Sequence, residues 1–330
     1  MNALVTGGGG FLGSVIVKKL VEKGVNVTIL NRHKYLELEK LGVRSVECDL
    51  ADNVKVSDAC AGMDMVFHVG AKEGFWGKYE DYYDVNVRGT TNVIDGCLKH
   101  GVKKLIYTST ASVVFADTDL MNVDESTPYA KNHLFYYSET KAEAERRVLR
   151  NNGTNGLLTV SLRPHLIWGP GDKQIMARII KYVKKGKLKI VGNGLNRVDI
   201  TYIDNAADAH LLAADALSKD SKLAGSAYFI SQGEPVLLWE FINKILLGVG
   251  IEPIDKKVSF GFAYRLGFCL EKIYGALFPS SEPPLTRFIA SQFSKHHYFN
   301  ISRAKKDFGY KASVSTEEGF KKLIEYLKTL

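Results

Sequence analysis

Six short runs rich in Val, Ile and Leu punctuate the first half of the chain: NALVT (2–6), VNVTIL (25–30), VRSVEC (43–48), MDMVFHV (63–69), KKLIYTS (103–109) and LLTVSLR (157–163). They are nearly continuous in apolar character rather than alternating. That is the pattern of a strand buried on both faces, as in a parallel sheet covered by helices. Helical patterns fill the intervals, among them FLGSVIVKKLVEKG (11–24) and VRGTTNVIDGCLKHG (87–101). Parallel strands need a crossover between them, so the series predicts an α/β fold, a doubly wound parallel sheet with helices on both faces. After about residue 165 the elements shorten and carry more loops, Pro and Gly. The expected division is 1–165 for the sheet and 166–330 for a smaller C-terminal lobe, with 196–217 rejoining the first sheet through ITYIDNAADAHLLAADAL (200–217).

The first strand runs into TGGGGFLG (6–13) and then into a helix. Glycines lack a Cβ, so backbone there can approach a pyrophosphate, and the helix N-terminus offers free N–H groups and a positive dipole end. A dinucleotide-binding Rossmann domain is therefore expected. Gly7, Gly10 and Gly13 fit one spacing, and Gly8, Gly10 and Gly13 fit another equally well. At the end of the second strand, where an acidic residue would take a ribose 2′-hydroxyl, the chain reads ILNRHKY (29–35). Asn31 is neutral and Arg32 follows it, an arrangement that accepts a 2′-phosphate and predicts NADP over NAD. Asp49, after the third strand, is placed either at the adenine edge or as a turn or N-cap residue.

In YYSETK (136–141), Tyr137 and Lys141 are four apart and share one face of a helix. A free phenol titrates near ~10, and a nearby ammonium favours its phenolate, which would suit the phenol to proton transfer with an alcohol or ketone oxygen. TSTAS (108–112) ends the fifth strand with Ser109, Thr110 and Ser112, at the sheet edge where ligands collect.

Composition excludes other classes. Of 330 residues 45% are hydrophobic, and the net charge is +8, which suits an anionic ligand or lipid surface. No nucleic-acid motif accompanies the charge. Four cysteines stand apart with no CxxC pair, and His296–His297 lacks a third partner, so no disulfide framework and no metal site is expected. The N-terminus enters a strand with no basic stretch before it. No secretory signal is expected, and the chain reads as cytoplasmic.

Together TGGGGFLG, HVGA (68–71), DVNVRGT (84–90), YTSTASV (107–113), the Tyr137–Lys141 pair and RPHLIWGPGD (163–172) resemble the extended short-chain dehydrogenase/reductase superfamily over essentially the whole length. The resemblance implies Thr110 as the catalytic hydroxyl, with Ser109 a close alternative, Tyr137 as acid/base, Lys141 on the nicotinamide ribose, and Asn86 bracing the active-site helix. It implies a cofactor site of Gly7, Gly10, Phe11, Leu12, Gly13, Asn31, Arg32, Asp49 and Leu50. Pro164 and His165 would then lie against the nicotinamide.

Sugar-nucleotide epimerases carry an arginine where NRVDITYID (196–204) has Val198, with Arg197 one place early. FISQGEPVLLWEFIN (229–243), EPPLTRF (282–288) and YFNISRAKKDFGYKASVSTEEGF (298–320) instead resemble the 3β-hydroxysteroid dehydrogenase branch. In motif texture the bacterial 2-alkyl-3-oxoalkanoate reductases are the nearest. The resemblance implies hydride transfer at a 3-oxo or 3-hydroxy carbon of a lipid-like substrate, with Phe75, Trp76 and Tyr79 walling its pocket, in a homodimer. A sterol 3-dehydrogenase, a sugar-nucleotide epimerase and a non-catalytic cofactor sensor are the competing readings. In SFGFAYRLGFCLEKIYGALF (259–278), Leu266, Leu270, Ile273 and Leu277 share one helical face, expected as core, as a lid or as a peripheral membrane contact.

Overall fold

Seven parallel strands form the central sheet of the structure, a computed structural model that describes residues 1–172, 175–279 and 281–329. They are β1 (Asn2–Thr6), β2 (Asn26–Asn31), β3 (Arg44–Glu47), β4 (Met65–His68), β5 (Lys104–Thr108), β6 (Leu158–Pro164) and β7 (Ser226–Ile230). Their spatial order is β3-β2-β1-β4-β5-β6-β7, so the direction of winding switches between β1 and β4. A ligand crevice is expected outside the carboxyl ends of those two strands.

Successive strand residues face opposite ways, and the sheet has a core on each side. Ala3, Val5, Ile29, Phe67 and Ile106 fill one, Leu4, Leu30, Val66, Leu105 and Tyr107 the other. Helices α1 (Phe11–Glu22), α2 (Gly89–His100), α3 (Tyr136–Arg150) and α4 (Ile203–Ala216) cover the faces. Helix α4 lies beside α1, tied by Lys19 Nζ to Asp208 Oδ1 at 2.8 Å, and touches β5 and β6. The first core runs on without a break to Trp168, Trp239, Phe241 and Phe308 in the C-terminal half.

The sequence reading differs from this in three places. It counted six strands, and SAYFI of β7 closes the sheet as a seventh beside β6. Of the 200–217 stretch only α4 packs on the sheet; Thr201–Tyr202 pairs with Ile167–Trp168 in a separate two-stranded sheet. The helix expected from 87 starts earlier, because a π-helical segment at Tyr83–Arg88 leads into α2 and carries Asn86. A further four-stranded sheet joins Val236–Leu237, Arg197–Val198, His297–Phe299 and Leu120–Val123.

Helix α5 (Phe260–Leu277) stands apart in character. Only Ala263 and Gly267 are buried on it, and a Cβ on Gly267 would meet the Thr286 carbonyl carbon at 2.7 Å. Small residues thus let α5 lie close against the Arg287–Gln292 helix. The expected stripe splits: Leu270 turns partly inward, whereas Leu266, Ile273 and Leu277 face solvent.

Candidate active site

The glycine turn is the first component. Gly7 takes a left-handed φ of +68°, and a Cβ there would meet Gly70 Cα at 2.7 Å. On Gly13 it would meet Gly7 O at 2.1 Å, and on Gly10 the same oxygen at 3.1 Å. Positions 7, 10 and 13 are therefore constrained by backbone, whereas a Cβ on Gly8 would meet the Ile29 side chain.

Two features fit a dinucleotide at this turn. The N-terminus of α1 has no side-chain cap, so its first N–H groups remain available for a pyrophosphate. Asn31 ends β2 with Oδ1 accepting from Gly9 N at 3.0 Å, while its buried Nδ2 has no partner. Arg32 is exposed just beyond. Leu12 and Leu50 are buried and Phe11 is half-buried. Asp49 acts as a turn residue, its Oδ1 accepting from Ala51 N at 2.9 Å, and the following helix is capped by Asp52.

Helix α3 starts at Tyr136, with Phe135 at its extended N-cap position. Burial raises the Tyr137 phenol well above its ordinary value; Glu73 adds to this and a hydrogen bond with Thr110 opposes it. The two expected hydroxyls part company here. Thr110 influences the Tyr137 phenol, its Oγ1 also lying 3.1 Å from Ser112 Oγ, whereas Ser109 influences Glu145 and its buried Oγ has no hydrogen-bond partner. Neighbouring residues in extended backbone point opposite ways, which explains the split.

Lys141 is buried, donates from Nζ to Thr108 O at 2.6 Å, and sits 4.2 Å from the Tyr107 ring centroid. Burial brings its amino group down to about 7, against the opposing pull of Glu145 and Glu73. Burial is the largest influence on both groups, and it favours the neutral form of each. Glu145, one turn further along α3, is fully buried. Burial resists its ionisation, but Arg163 outweighs that and holds the carboxyl below the usual range, with Nη2–Oε1 at 2.5 Å. Tyr129 OH and Ser161 Oγ also donate to Glu145, at 2.6 and 2.8 Å.

Asn86 clasps two elements. Its Oδ1 accepts from Lys72 N at 2.7 Å, and its Nδ2 donates to Lys72 O and to Thr140 Oγ1 at 3.1 and 3.0 Å. The loop that follows β4 is thereby pinned to α3. Pro164 ends β6, and His165 beyond it is buried, with Nε2 2.6 Å from His297 Nδ1. Burial lowers the pKa of both histidines, so the pair shares a hydrogen bond between neutral rings. His297 also lines an apolar cavity of about 60 Å³ with Trp168, Met176, Phe241 and Phe293.

An aromatic wall begins at Tyr137. Its ring is 5.8 Å from that of Phe135, which lies 3.7 Å from Phe288; Phe288 is 5.5 Å from Phe75 and 6.2 Å from Phe115. Trp76 continues toward α5, its ring edge 3.9 Å from where a Cβ on Gly275 would be. Tyr79 points elsewhere, stacking on Tyr83 and Tyr136. Phe115, Phe135, Phe288 and Glu73 escaped the sequence reading. Phe115 and Phe135 each lie two residues from a motif, Glu73 lies two before Phe75, and Phe288 ends EPPLTRF, but their packing together is not written in any of those stretches.

The profile of the 3-beta hydroxysteroid dehydrogenase/isomerase family matches residues 4–260. A 2-alkyl-3-oxoalkanoate reductase of Stenotrophomonas maltophilia is 48% identical over 326 residues, covering 98% of each chain. The chain belongs to this family. A mouse (Mus musculus) sterol-4-alpha-carboxylate 3-dehydrogenase, decarboxylating, is 36% identical over 97% of this chain and 89% of its own. In fold the chain is similar to the crystal structure of gox2253, with a TM-score of 0.81 at 25% identity over 99% of this chain and 98% of that one. It is similar also to UDP-glucuronic acid 4-epimerase from Bacillus cereus in complex with NAD, with a TM-score of 0.76 at 21% identity over 100% and 99%. Membership, the parallel sheet with its glycine turn and the names of the relatives make the chain an NAD(P)-dependent oxidoreductase acting between alcohol and ketone. Among the described residues no three His, Cys, Asp or Glu converge on a metal site, and no helix is long and apolar enough to cross a membrane.

Proposed function

We propose that this family member is an NADPH-preferring reductase of a 3-oxo group on a lipid-like acid of the 2-alkyl-3-oxoalkanoate kind. The observation that carries the reading is the aromatic wall that starts at Tyr137. Phe135, Phe288 and Phe75 offer apolar ring faces to a substrate chain immediately beside the proton donor. No guanidinium stands where a sugar nucleotide would be gripped: Val198 is buried in the core and Arg197 is exposed one place away.

The dinucleotide supplies a hydride when bound. Gly7, Gly10, Gly13 and the N-terminus of α1 hold its pyrophosphate, and Asn31 with Arg32 holds the 2′-phosphorylated ribose, β2 itself ending on a neutral residue. Lys141 meets the nicotinamide ribose, and Pro164 and His165 back that end of the cofactor. Thr110 donates a hydrogen bond toward the substrate oxygen and Tyr137 gives up its phenolic proton to it. Burial keeps that phenol protonated at neutral pH. A loaded donor suits the reductive direction, because the oxygen left by hydride attack is far more basic than a phenolate. Asn86 keeps α3 in register with the loop bearing Phe75 and Trp76. A cofactor-oxidation screen over 2-alkyl-3-oxoalkanoates, 3-ketosteroids and sugar nucleotides tests the reading. The expected result is turnover of the first class, with NADPH well ahead of NADH; turnover of a sugar nucleotide alone would overturn it.

A further inference from the structure

The aromatic wall does not stop at Phe288. Phe115, 6.2 Å from Phe288, stands edge-on to the ring of His297, again at 6.2 Å. His297 in turn lines the apolar cavity of about 60 Å³. Ring contacts thus run without a break from Tyr137 through Phe135, Phe288, Phe115 and His297 to that cavity.

Both nitrogens fix His297 at this junction. Its Nε2 lies 2.9 Å from Gln292 O, and a carbonyl can only accept, so Nε2 carries the proton. Nδ1 is then the acceptor for His165 Nε2, and neither ring brings charge to the boundary. Beyond them the lining is hydrocarbon. Met176 and Ile179 supply it from the helix Ile175–Lys184, and Leu238, Phe241 and Ile242 from the helix Leu238–Gly248. All five are buried, and no charged side chain lines the space. A cavity of that character stays dry, and at about 30 Å³ for a water-sized group it has room for about two carbons at the end of a chain. Leu166, one residue beyond His165, also lines it and holds a φ of +40°. Leucine rarely adopts that left-handed conformation, and strain of this sort gathers where ligands are held.

We infer that the cavity seats the end of one alkyl chain of the substrate and so sets the preferred chain length, the side chains at 176 and 242 deciding how long a chain fits. That the chain belongs to a 3-oxo acid rests on the reductase reading above; the affinity of the cavity for hydrocarbon does not.

Two series of 2-alkyl-3-oxo acids test this, one lengthened in the 2-alkyl branch and the other beyond the 3-oxo carbon. In one series kcat/KM should rise about fourfold for each methylene until the cavity is full, and then fall. Ile242→Ala, which removes about three carbons from the lining, should move that maximum to longer chains by a similar number. Ile242→Phe should move it to shorter ones, and Met176→Ala, on the other helix, to longer ones. The maximum of the second series should stay in place. Each maximum is read within one variant, so a loss of folded protein does not displace it. Independently of turnover, a saturated fatty acid brominated at its last carbon should quench the fluorescence of Trp168, which also lines the cavity. Trp168→Phe and Ile242→Phe should each remove most of that quenching. Maxima that stay in place in all three lining variants, or that move together in both series, would overturn the proposal. So would wild-type fluorescence indifferent to the bromine. Quenching without turnover of either series would instead strike at the reductase reading alone.

Discussion

Lys141→Met separates the two things that a buried ammonium does, because Met keeps the length of the side chain and removes its charge. Held at about 7 instead of 10.5, at about 1.36 kcal/mol for each unit of pH, the ammonium carries a penalty of about 5 kcal/mol relative to the unfolded chain. The folded pKa is the lower of the two. Below pH 7 folded and unfolded chains both carry the proton, and the folded one bears the whole penalty. Between 7 and 10.5 the unfolded chain binds the extra proton, so stability climbs with pH. The Lys141→Met chain has no such slope. Urea unfolding of both proteins at about pH 6 and about pH 9 should therefore show the wild type gaining about 3 kcal/mol on the variant across that interval. Other titrating groups act on both proteins and cancel in the difference. A difference constant to within about 0.5 kcal/mol would refute the burial argument. The same variant should lose cofactor affinity, and the loss should persist at pH 6, where the wild-type lysine is charged.

Tyr137→Phe should retain the fold and cofactor binding and lower kcat by about 10²–10⁴-fold, as measured by steady-state kinetics. Thr110→Ala should cost kcat much more than Ser109→Ala, since Thr110 acts on the Tyr137 phenol and Ser109 on Glu145; equal losses would return Ser109 to the candidate position. Arg32→Ala should weaken NADPH binding about tenfold or more in a fluorescence titration and leave NADH nearly unchanged. Gly13→Ala should abolish binding of either cofactor, because its Cβ would meet Gly7 O at 2.1 Å and force the turn open.

The elements of the sheet were legible because buried parallel strands are continuous in apolar character, and helices alternate with them. Strand β7 was not: SAYFI lies past the point where the elements shorten, and its partner β6 is near only in space. Of the motif residues, Asn86 reaches α3 at Thr140 and Lys141 reaches the end of β5 at Thr108. Phe288 joins them from far along the chain, inside EPPLTRF, a stretch that carries resemblance but does not show what the ring packs against. Periodicity showed that residues of α5 share a face but not which face turns inward. Ala263 and Gly267 held that information, for small residues mark where a helix can approach its neighbour closely. Spacing likewise puts Tyr137 and Lys141 on one face of α3 but does not show that Lys141 is buried there.

Strand β7 has a consequence for how this chain can be cut or evolve. A fragment ending at residue 165 would keep every motif for the dinucleotide and yet leave the Leu158–Pro164 edge unpaired. Five of the seven residues there are Leu, Val or small and polar, none charged before Arg163, and an edge of that kind invites pairing with other chains. The ladder that Ser226–Ile230 completes is thus a safeguard against aggregation, contributed by a strand that lies far along the chain from the glycine turn. Swapping C-terminal halves among relatives to exchange substrates would succeed only where the incoming half brings its own capping strand.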